Sequence, residues 1–328
     1  MPFTRQACAV GVGAAVLACL VSPVTVSAGT DWPTHPIRIL VGFGAGGGTD
    51  VATRIIADPL GEVLGQRIVV ENKAGAGGTI AADAIAKSQK DGYNAVMASP
   101  AHTVAAAMIK AQPYDAVKDF SPVGVVANSA FVVVAKSDFP AKDMRELIAL
   151  AKKEPGKLNY GSVTIGSTQH ITAELLRQRA GIDAQHVSFR TTPEVVTALM
   201  RGDVSYAVEL AHAVRGQVQA GDLKILAVMT AIRWPSLPNV PTVIESGIPD
   251  FEVLGWYGLL FPAGISPAIV ERTHYALAQV LLREDIRGQL DNIGAIANLS
   301  TPEEFRKLLE SEVARWRAAA KDAGLEPN

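Results

Sequence analysis

The stretch ILVGFGAGGGTD, residues 39 to 50, ends a β-branched run and opens a helical one. Gly42, Gly44 and Gly47 satisfy the G-x-G-x-x-G spacing of a dinucleotide-binding turn, and Glu71, 24 residues beyond Gly47, stands where a ribose-binding acid would. The physical content is broader than one cofactor. A glycine run ahead of a helix lets successive backbone N–H groups converge at the positive end of the helix dipole, which favours a carboxylate as readily as a phosphate. Glycines that only permit a tight turn are the simpler alternative. Asp50 would repel an anion and reads instead as a helix-end carboxylate that supports the loop.

Two further corners have the same strand-to-helix character. ENKAGAGGT, residues 71 to 79, contains Gly77 and Gly78; YGSVTIGSTQH, residues 160 to 170, combines Gly161 and Gly166 with the hydroxyls of Ser162, Thr164, Ser167 and Thr168. Ser167 stands at the N-cap position, where it either caps the helix or meets a ligand. Ser162 and Thr164 have no comparable structural role. A nucleophile at Ser162 or Ser167 with His170 as its base fails on spacing, because the G-x-S-x-G elbow is missing and His170 falls on the helix three residues past Ser167. His35, His102, His170, His186, His212 and His274 are scattered without metal-ligand spacing, so no metal site is expected.

The elements that must position these corners alternate along the chain, the signature of parallel α/β architecture. Strands are predicted at 37–41, 67–70, 95–98, 123–126, 131–135, 158–160, 186–189, 204–208 and 224–229. Val51, Ile55, Ile56, Leu60, Val63 and Leu64 follow helical spacing, with Pro59 expected to kink or shorten that helix. Thr192-Pro193-Glu194 marks a helix start and Gly202 its stop. Thr301-Pro302-Glu303-Glu304 reads as a capping box ahead of a stripe of Phe305, Leu308, Leu309, Val313 and Trp316.

The chain has 328 residues, 48% hydrophobic and 19% charged, with a formal net charge of −2. That balance suits a globular protein of about two domains and leaves no broad basic face for nucleic acid. Arg5 followed by the uncharged run from Ala9 to Val21 and the small-residue site Val26-Ser27-Ala28 reads as a secretory signal over residues 1 to 28, cleaved after Ala28. The apolar run is too short to span a bilayer comfortably, since a spanning helix needs about 20 apolar residues. Cleavage removes Cys8 and Cys19, the only cysteines, and with Arg5 one positive charge, so the mature chain carries −3 and has no thiol chemistry.

In order along the chain, Trp32-Pro33, Pro36-Ile37-Arg38, Gly46-Gly47-Gly48-Thr49-Asp50, Leu64-Gly65-Gln66, Val70-Glu71-Asn72, Gly75-Ala76-Gly77-Gly78 and Asp91-Gly92-Tyr93 are followed by Pro113-Tyr114-Asp115, Leu237-Pro238, Val240-Pro241-Thr242 and Pro262-Ala263-Gly264. In this order they resemble the substrate-binding proteins of tripartite tricarboxylate transporters, the Bug family of extracytoplasmic solute receptors. The resemblance implies an α/β fold, the two-lobed periplasmic binding protein fold (type II). Each lobe would be a mostly parallel sheet flanked by helices, with strands crossing between them. Lobe 1 is expected at 29–127 plus 252–328 and lobe 2 at 128–251. It further implies a monomeric, non-enzymatic periplasmic receptor with no cofactor. Such a receptor captures a small carboxylated molecule and delivers it to a membrane permease. Phe43, Gly44, Ala45, Gly46 and Gly47 would hold a carboxylate through backbone groups and ordered water, and Ser162, Thr164, Gly166, Ser167 and Thr168 would hold another polar end. Asp50, Gly77, Gly78 and His170 would support them.

The sequence departs from the family pattern at several of these places. Gly44-Ala45 replaces Ala-Pro, Thr164 a glycine, Ser188-Phe189-Arg190-Thr191 a Pro-Tyr-Lys-Gly, and Glu209-Leu210 an Asp-Asn. Arg190 is either a bidentate partner for a ligand carboxylate or an ordinary surface arginine. Glu209 would disfavour an anion and could meet an amine or hydroxyl. Two other functions fit the same residues: an exported NAD-dependent oxidoreductase using Gly42, Gly44, Gly47 and Glu71, and a ligand sensor that contacts a signalling partner.

Overall fold

The computed structural model describes residue 1, residues 31–163 and residues 165–327. The expected signal, with Cys8, Cys19 and the cleavage site, and Thr164 lie outside the described residues. From Trp32 onward the chain forms one compact unit. Its elements are β1 (Ile37–Val41), α1 (Gly48–Leu64), β2 (Ile68–Asn72), α2 (Thr79–Ala86), β3 (Asn94–Ala98), α3 (Pro100–Met108), β4 (Phe120–Lys136), α4 (Met144–Lys153), β5 (Leu158–Val163) and α5 (Thr168–Ala180). They continue with β6 (Ala184–Phe189), α6 (Thr192–Arg201), β7 (Tyr206–Leu210), α7 (Ala211–Ala220), β8 (Leu223–Val228), β9 (Leu254–Pro262), α8 (Pro267–Leu282), α9 (Glu284–Asn292), β10 (Ala295–Ala297) and α10 (Pro302–Asp322).

The strand order is β2-β1-β3-β9-β4-β7-β5-β6, with β8 and β10 also paired to β4. The outer strands pair in parallel, β1 with β2 and β3, and β5 with β6 and β7. The sheet of each lobe is mixed, because β4 and β9 run antiparallel to their neighbours. One strand thus serves both lobes: residues 120–130 of β4 pair with β9, and 131–136 pair with β7 and β8.

The sequence predicts two strands where β4 is a single strand of 17 residues. Its middle, Ala127-Asn128-Ser129-Ala130, has low strand propensity, but pairing to β9 and β10 on its two sides supplies hydrogen bonds that propensity does not. At β9 the sequence pattern predicts no strand. Its sequence LGWYGLLFP contains two glycines, which weaken a strand unless a neighbour approaches closely. Here one does: a Cβ on Gly258 would fall 2.3 Å from the Phe305 ring, and a Cβ on Gly255 2.9 Å from the Ser129 carbonyl oxygen.

Helix ends follow the local rules. The Thr301–Glu304 capping box forms with Pro302 in the first turn, and Phe305, Leu309, Val313 and Trp316 are buried. α6 begins at Thr192 and stops at Gly202, which takes the left-handed conformation. α1 runs unbroken through the buried Pro59 to Gly65, so the expected shortening does not occur; Val63 falls on its exposed side. Ile37, Ile39 and Val41 of β1 pack with Ile56 and Leu60 of α1 and Leu277 of α8 in one core, and Tyr160, Ile171, Leu176 and Leu147 build another.

Gly258→Ala should destabilise the protein by about 1–3 kcal/mol through overpacking against Phe305. In urea unfolding, Phe305→Leu should recover part of that loss; simple addition of the two single losses would contradict the close approach.

Candidate functional site

The first glycine corner is built on backbone contact. A Cβ on Gly42 would sit 2.5 Å from Gly78 Cα, so the two glycine corners pack main chain to main chain, with the Phe43 ring 3.5 Å from the Cβ position of Gly78. Gly46, at φ +81°, turns the chain toward α1. Asp50 then anchors the loop. Its Oδ2 accepts from the Gly46 N–H at 2.8 Å, and its Oδ1 accepts from Arg54 Nε at 2.9 Å and Asn72 Nδ2 at 2.9 Å. Asn72 Nδ2 also donates to the Phe43 carbonyl at 3.0 Å. Burial pushes the Asp50 carboxyl up, but these hydrogen bonds together hold it below the usual range. Glu71 is exposed and pairs with Arg38 at 3.2 Å.

The hydroxyl corner is also fastened. Ser167 Oγ accepts from the His170 N–H at 3.1 Å and donates to the Val163 carbonyl at 2.6 Å, while the Gly166 N–H donates to His170 Nδ1 at 3.2 Å. His170 therefore accepts on Nδ1, and burial holds its pKa down at about 4. Ser162 is buried behind the corner, with its Oγ 2.7 Å from His186 Nε2. Behind it Tyr160 donates to Glu174, which Arg177 Nη2 meets at 2.9 Å.

A cavity of about 380 Å3 lies among these elements. Of the residues singled out from sequence, Phe43, Gly46, Gly47, Thr168 and Glu209 line it. Gly44, Ala45, Gly77, Gly166, Ser167 and Arg190 do not; Gly44, Ala45, Gly77 and Arg190 are exposed. Arg190 lies beside α6, its backbone N–H donating to Glu194.

The lining residues not anticipated come from helix starts and from β4, β7 and β9. Ser99, Pro100 and Ala101 open α3, Gln169 follows Thr168 at the start of α5, Thr192 opens α6, and His212 and Ala213 belong to the first turn of α7. Gly48 and Thr49 of the first turn of α1, Leu210 at the end of β7, and Ser129, Phe131, Gly255, Trp256 and Tyr257 complete the lining. Thr192-Pro193 was legible as a helix start but not as part of a cavity, and the aromatic pair in β9 went unread with its strand.

Together with α1, five helices begin at this cavity. α1, α3, α6 and α7 have no side-chain cap, so their first-turn N–H groups are not claimed by their own side chains. Each helix start carries roughly half a positive charge. Among the described residues no Lys or Arg lines the cavity, so helix starts are its source of positive potential. A Cβ on Gly48 would fall 2.5 Å from the Tyr257 hydroxyl and 3.2 Å from His212 Nε2, so only glycine lets the first turn of α1 approach both. The buried hydroxyls of Ser129 and Tyr257 lie beside one another, yet neither makes a hydrogen bond of normal geometry, and His212 Nδ1 is buried without a partner.

Glu209 is the cavity's acid. It is 1% exposed, with Thr192 Oγ1 donating to it at 3.2 Å and Gln169 Nε2 at 3.5 Å. Burial pushes its pKa up to about 7, against the pull of these donors. Among the described residues no group of three or more His, Cys, Asp or Glu is placed to hold a metal ion, and no helix is long and apolar enough to cross a membrane.

Two α/β lobes joined through one shared strand, with a cavity at converging helix starts, define the periplasmic binding protein class of solute receptors. Within that class the chain belongs to the tripartite tricarboxylate transporter family of receptors, whose family profile matches residues 52–325. It is 31% identical to the protein BugT of Bordetella pertussis over 326 residues, covering 99% of each chain. Among solved structures it is similar to R. palustris Rpa4515 with adipate (TM-score 0.80, 32% identity, 91% of this chain and 100% of that one). It is also similar to MatC from Rhodopseudomonas palustris with bound malate (TM-score 0.76, 30% identity, 88% of this chain and 99% of that one).

Glu209 binds its proton more tightly in the folded than in the unfolded chain. Its contribution is therefore fully present below the unfolded pKa of about 4.5, falls as pH rises toward 7, and levels off above it. Glu209→Gln should gain up to about 3 kcal/mol on the wild type at pH 8.5 and almost nothing at pH 4.5. Chemical denaturation at both pH values checks this; an equal difference at both would contradict it.

Proposed function

We propose that this protein is a periplasmic receptor that captures a small carboxylated molecule between its lobes and passes it to a tripartite tricarboxylate-type permease. Lobe 1 comprises residues 29–127 and 252–328, and lobe 2 residues 128–251, so that β4 crosses between them. Residues 1–28 direct export and are removed after Ala28. The observation that carries the reading is the convergence of five helix starts on a cavity that, among the described residues, no Lys or Arg lines. Backbone N–H groups at helix starts suit a carboxylate, and water bridging lets the same frame accept different carbon skeletons. The adipate and malate held by the two R. palustris relatives support the same ligand chemistry.

Capture works by population shift. Lobe 1 presents the α1 and α3 starts, lobe 2 those of α5, α6 and α7. A ligand that touches both sets stabilises the arrangement in which they face one another, which is how such receptors signal occupancy to a permease.

Calorimetry with the mature protein against mono-, di- and amino-carboxylates should find a ligand whose affinity falls at least tenfold in Gly47→Asp. Gly47 precedes α1 with ordinary extended angles (φ −72°, ψ 159°), so an aspartate there acts as an N-cap, keeps the helix, and occupies its first-turn donors with its own charge, while the exposed loop yields slightly at the Gly44 carbonyl oxygen, 3.3 Å from the Cβ position. A folded wild type silent across the panel, or a Gly47→Asp variant that binds unchanged, would contradict the proposal.

A further inference from the structure

A carboxylate buried without a cation needs an explanation. Among the described residues Glu209 takes part in no salt bridge, and its protein donors, Thr192 Oγ1, Gln169 Nε2 and the Leu210 N–H, are all uncharged. An ionised carboxylate removed from water is costly unless a positive partner arrives. Among the described residues no Lys or Arg lines the cavity, and burial holds the pKa of its histidine, His212, below the ordinary value, so the protein offers no such partner there. The partner must come with the ligand, or the site must run with its acid protonated.

We infer that Glu209 is a specificity-determining residue that selects ligands carrying an ammonium as well as a carboxylate, so that the cavity takes a zwitterionic amino-carboxylate in preference to a di- or tricarboxylate. This rests on the carboxylate capture proposed above. The helix starts that frame the cavity accept one carboxylate. Glu209 then makes the second position one for a cation: an ammonium there forms a charge-assisted hydrogen bond, whereas a second carboxylate meets like charge.

Two further observations fit a ligand with both kinds of end. The buried hydroxyls of Ser129 and Tyr257, both lining the cavity, lack hydrogen bonds of normal geometry and can turn a lone pair to an N–H group or a proton to a carboxylate. Phe43, Phe131, Trp256 and Tyr257 also line it, and aromatic faces attract an ammonium and pack against a short carbon chain. The volume, about 380 Å3, lies near the lower end of small-ligand sites and suits a molecule of amino-acid size.

The test is calorimetry at pH 8 with matched probes of equal chain length: α- and ω-amino acids, the corresponding alkanoates, and the corresponding α,ω-dicarboxylates. The best amino-carboxylate should bind at least tenfold more tightly than its matched alkanoate and dicarboxylate. Glu209→Gln, with folding verified by circular dichroism and thermal melting, should bring these ratios close to one and improve the dicarboxylate. Glu209→Asp, which keeps the charge, should retain part of the preference. Alkanoates or dicarboxylates binding as well as amino-carboxylates, or an amine preference that survives Glu209→Gln, would overturn the inference and leave carboxylate capture standing. Silence of every carboxylate probe would overturn capture itself, and the inference with it.

Discussion

The first backbone N–H groups of a helix have no acceptor within it, and the cost of leaving them unpaired rises as water is excluded. In this protein five helices begin at one cavity, four of them without a side-chain cap, and among the described residues no Lys or Arg lines that cavity. The rest of the structure is arranged to keep those starts together. Asp50 and Asn72 tie the loop before α1 to β2, so the donors at Gly47 and Gly48 are aimed by side chains that do not themselves face the ligand space. His170 performs the equivalent service for the loop before α5 by accepting from the Gly166 N–H.

Bringing helices of two lobes to one place depends on β4, whose first half β9 braces. β4 changes partners along its length, pairing with β9 in one half and with β7 and β8 in the other. Both strands also contribute directly to the cavity, through Ser129 and Phe131 and through Trp256 and Tyr257. Glu312 on α10 reinforces this link: its Oε2 accepts from Trp256 Nε1 at 3.1 Å and from Thr103 Oγ1 on α3 at 2.7 Å. A buried carboxylate thus ties a cavity-lining indole to the helix whose start lines the same cavity.

The outer strands and the helix ends were legible in the sequence because they obey local rules: β-branched runs, Thr301 with Glu304, Gly202 as a stop. β4 and β9 were not, since their stability comes from pairing on both sides and from close approach at Gly255 and Gly258, which propensity does not register. The glycine corner was legible as an anion site because converging backbone donors need glycine whatever the ligand. The direction of hydroxyls was not. Strand alternation places Ser162 on the face of Tyr160, toward His186, while Thr168, one residue into a helix, reaches the cavity. Arg190 was the conspicuous cation for a carboxylate, yet it is exposed, and the helix dipoles that replace it leave no single-residue signature. The family resemblance supplied the architecture; only geometry brought Glu209, Gln169 and Thr192 into one cluster.

The central claim, that backbone donors at helix starts hold the carboxylate, is tested most directly by following backbone amide chemical shifts while a binding carboxylate is titrated into isotopically labelled protein. The largest shifts should fall at Gly47, Gly48, Ala101, Thr168, Gln169 and His212, at the openings of α1, α3, α5 and α7. Shifts centred on Arg190 and other surface cations, with those helix-start amides unmoved, would contradict it.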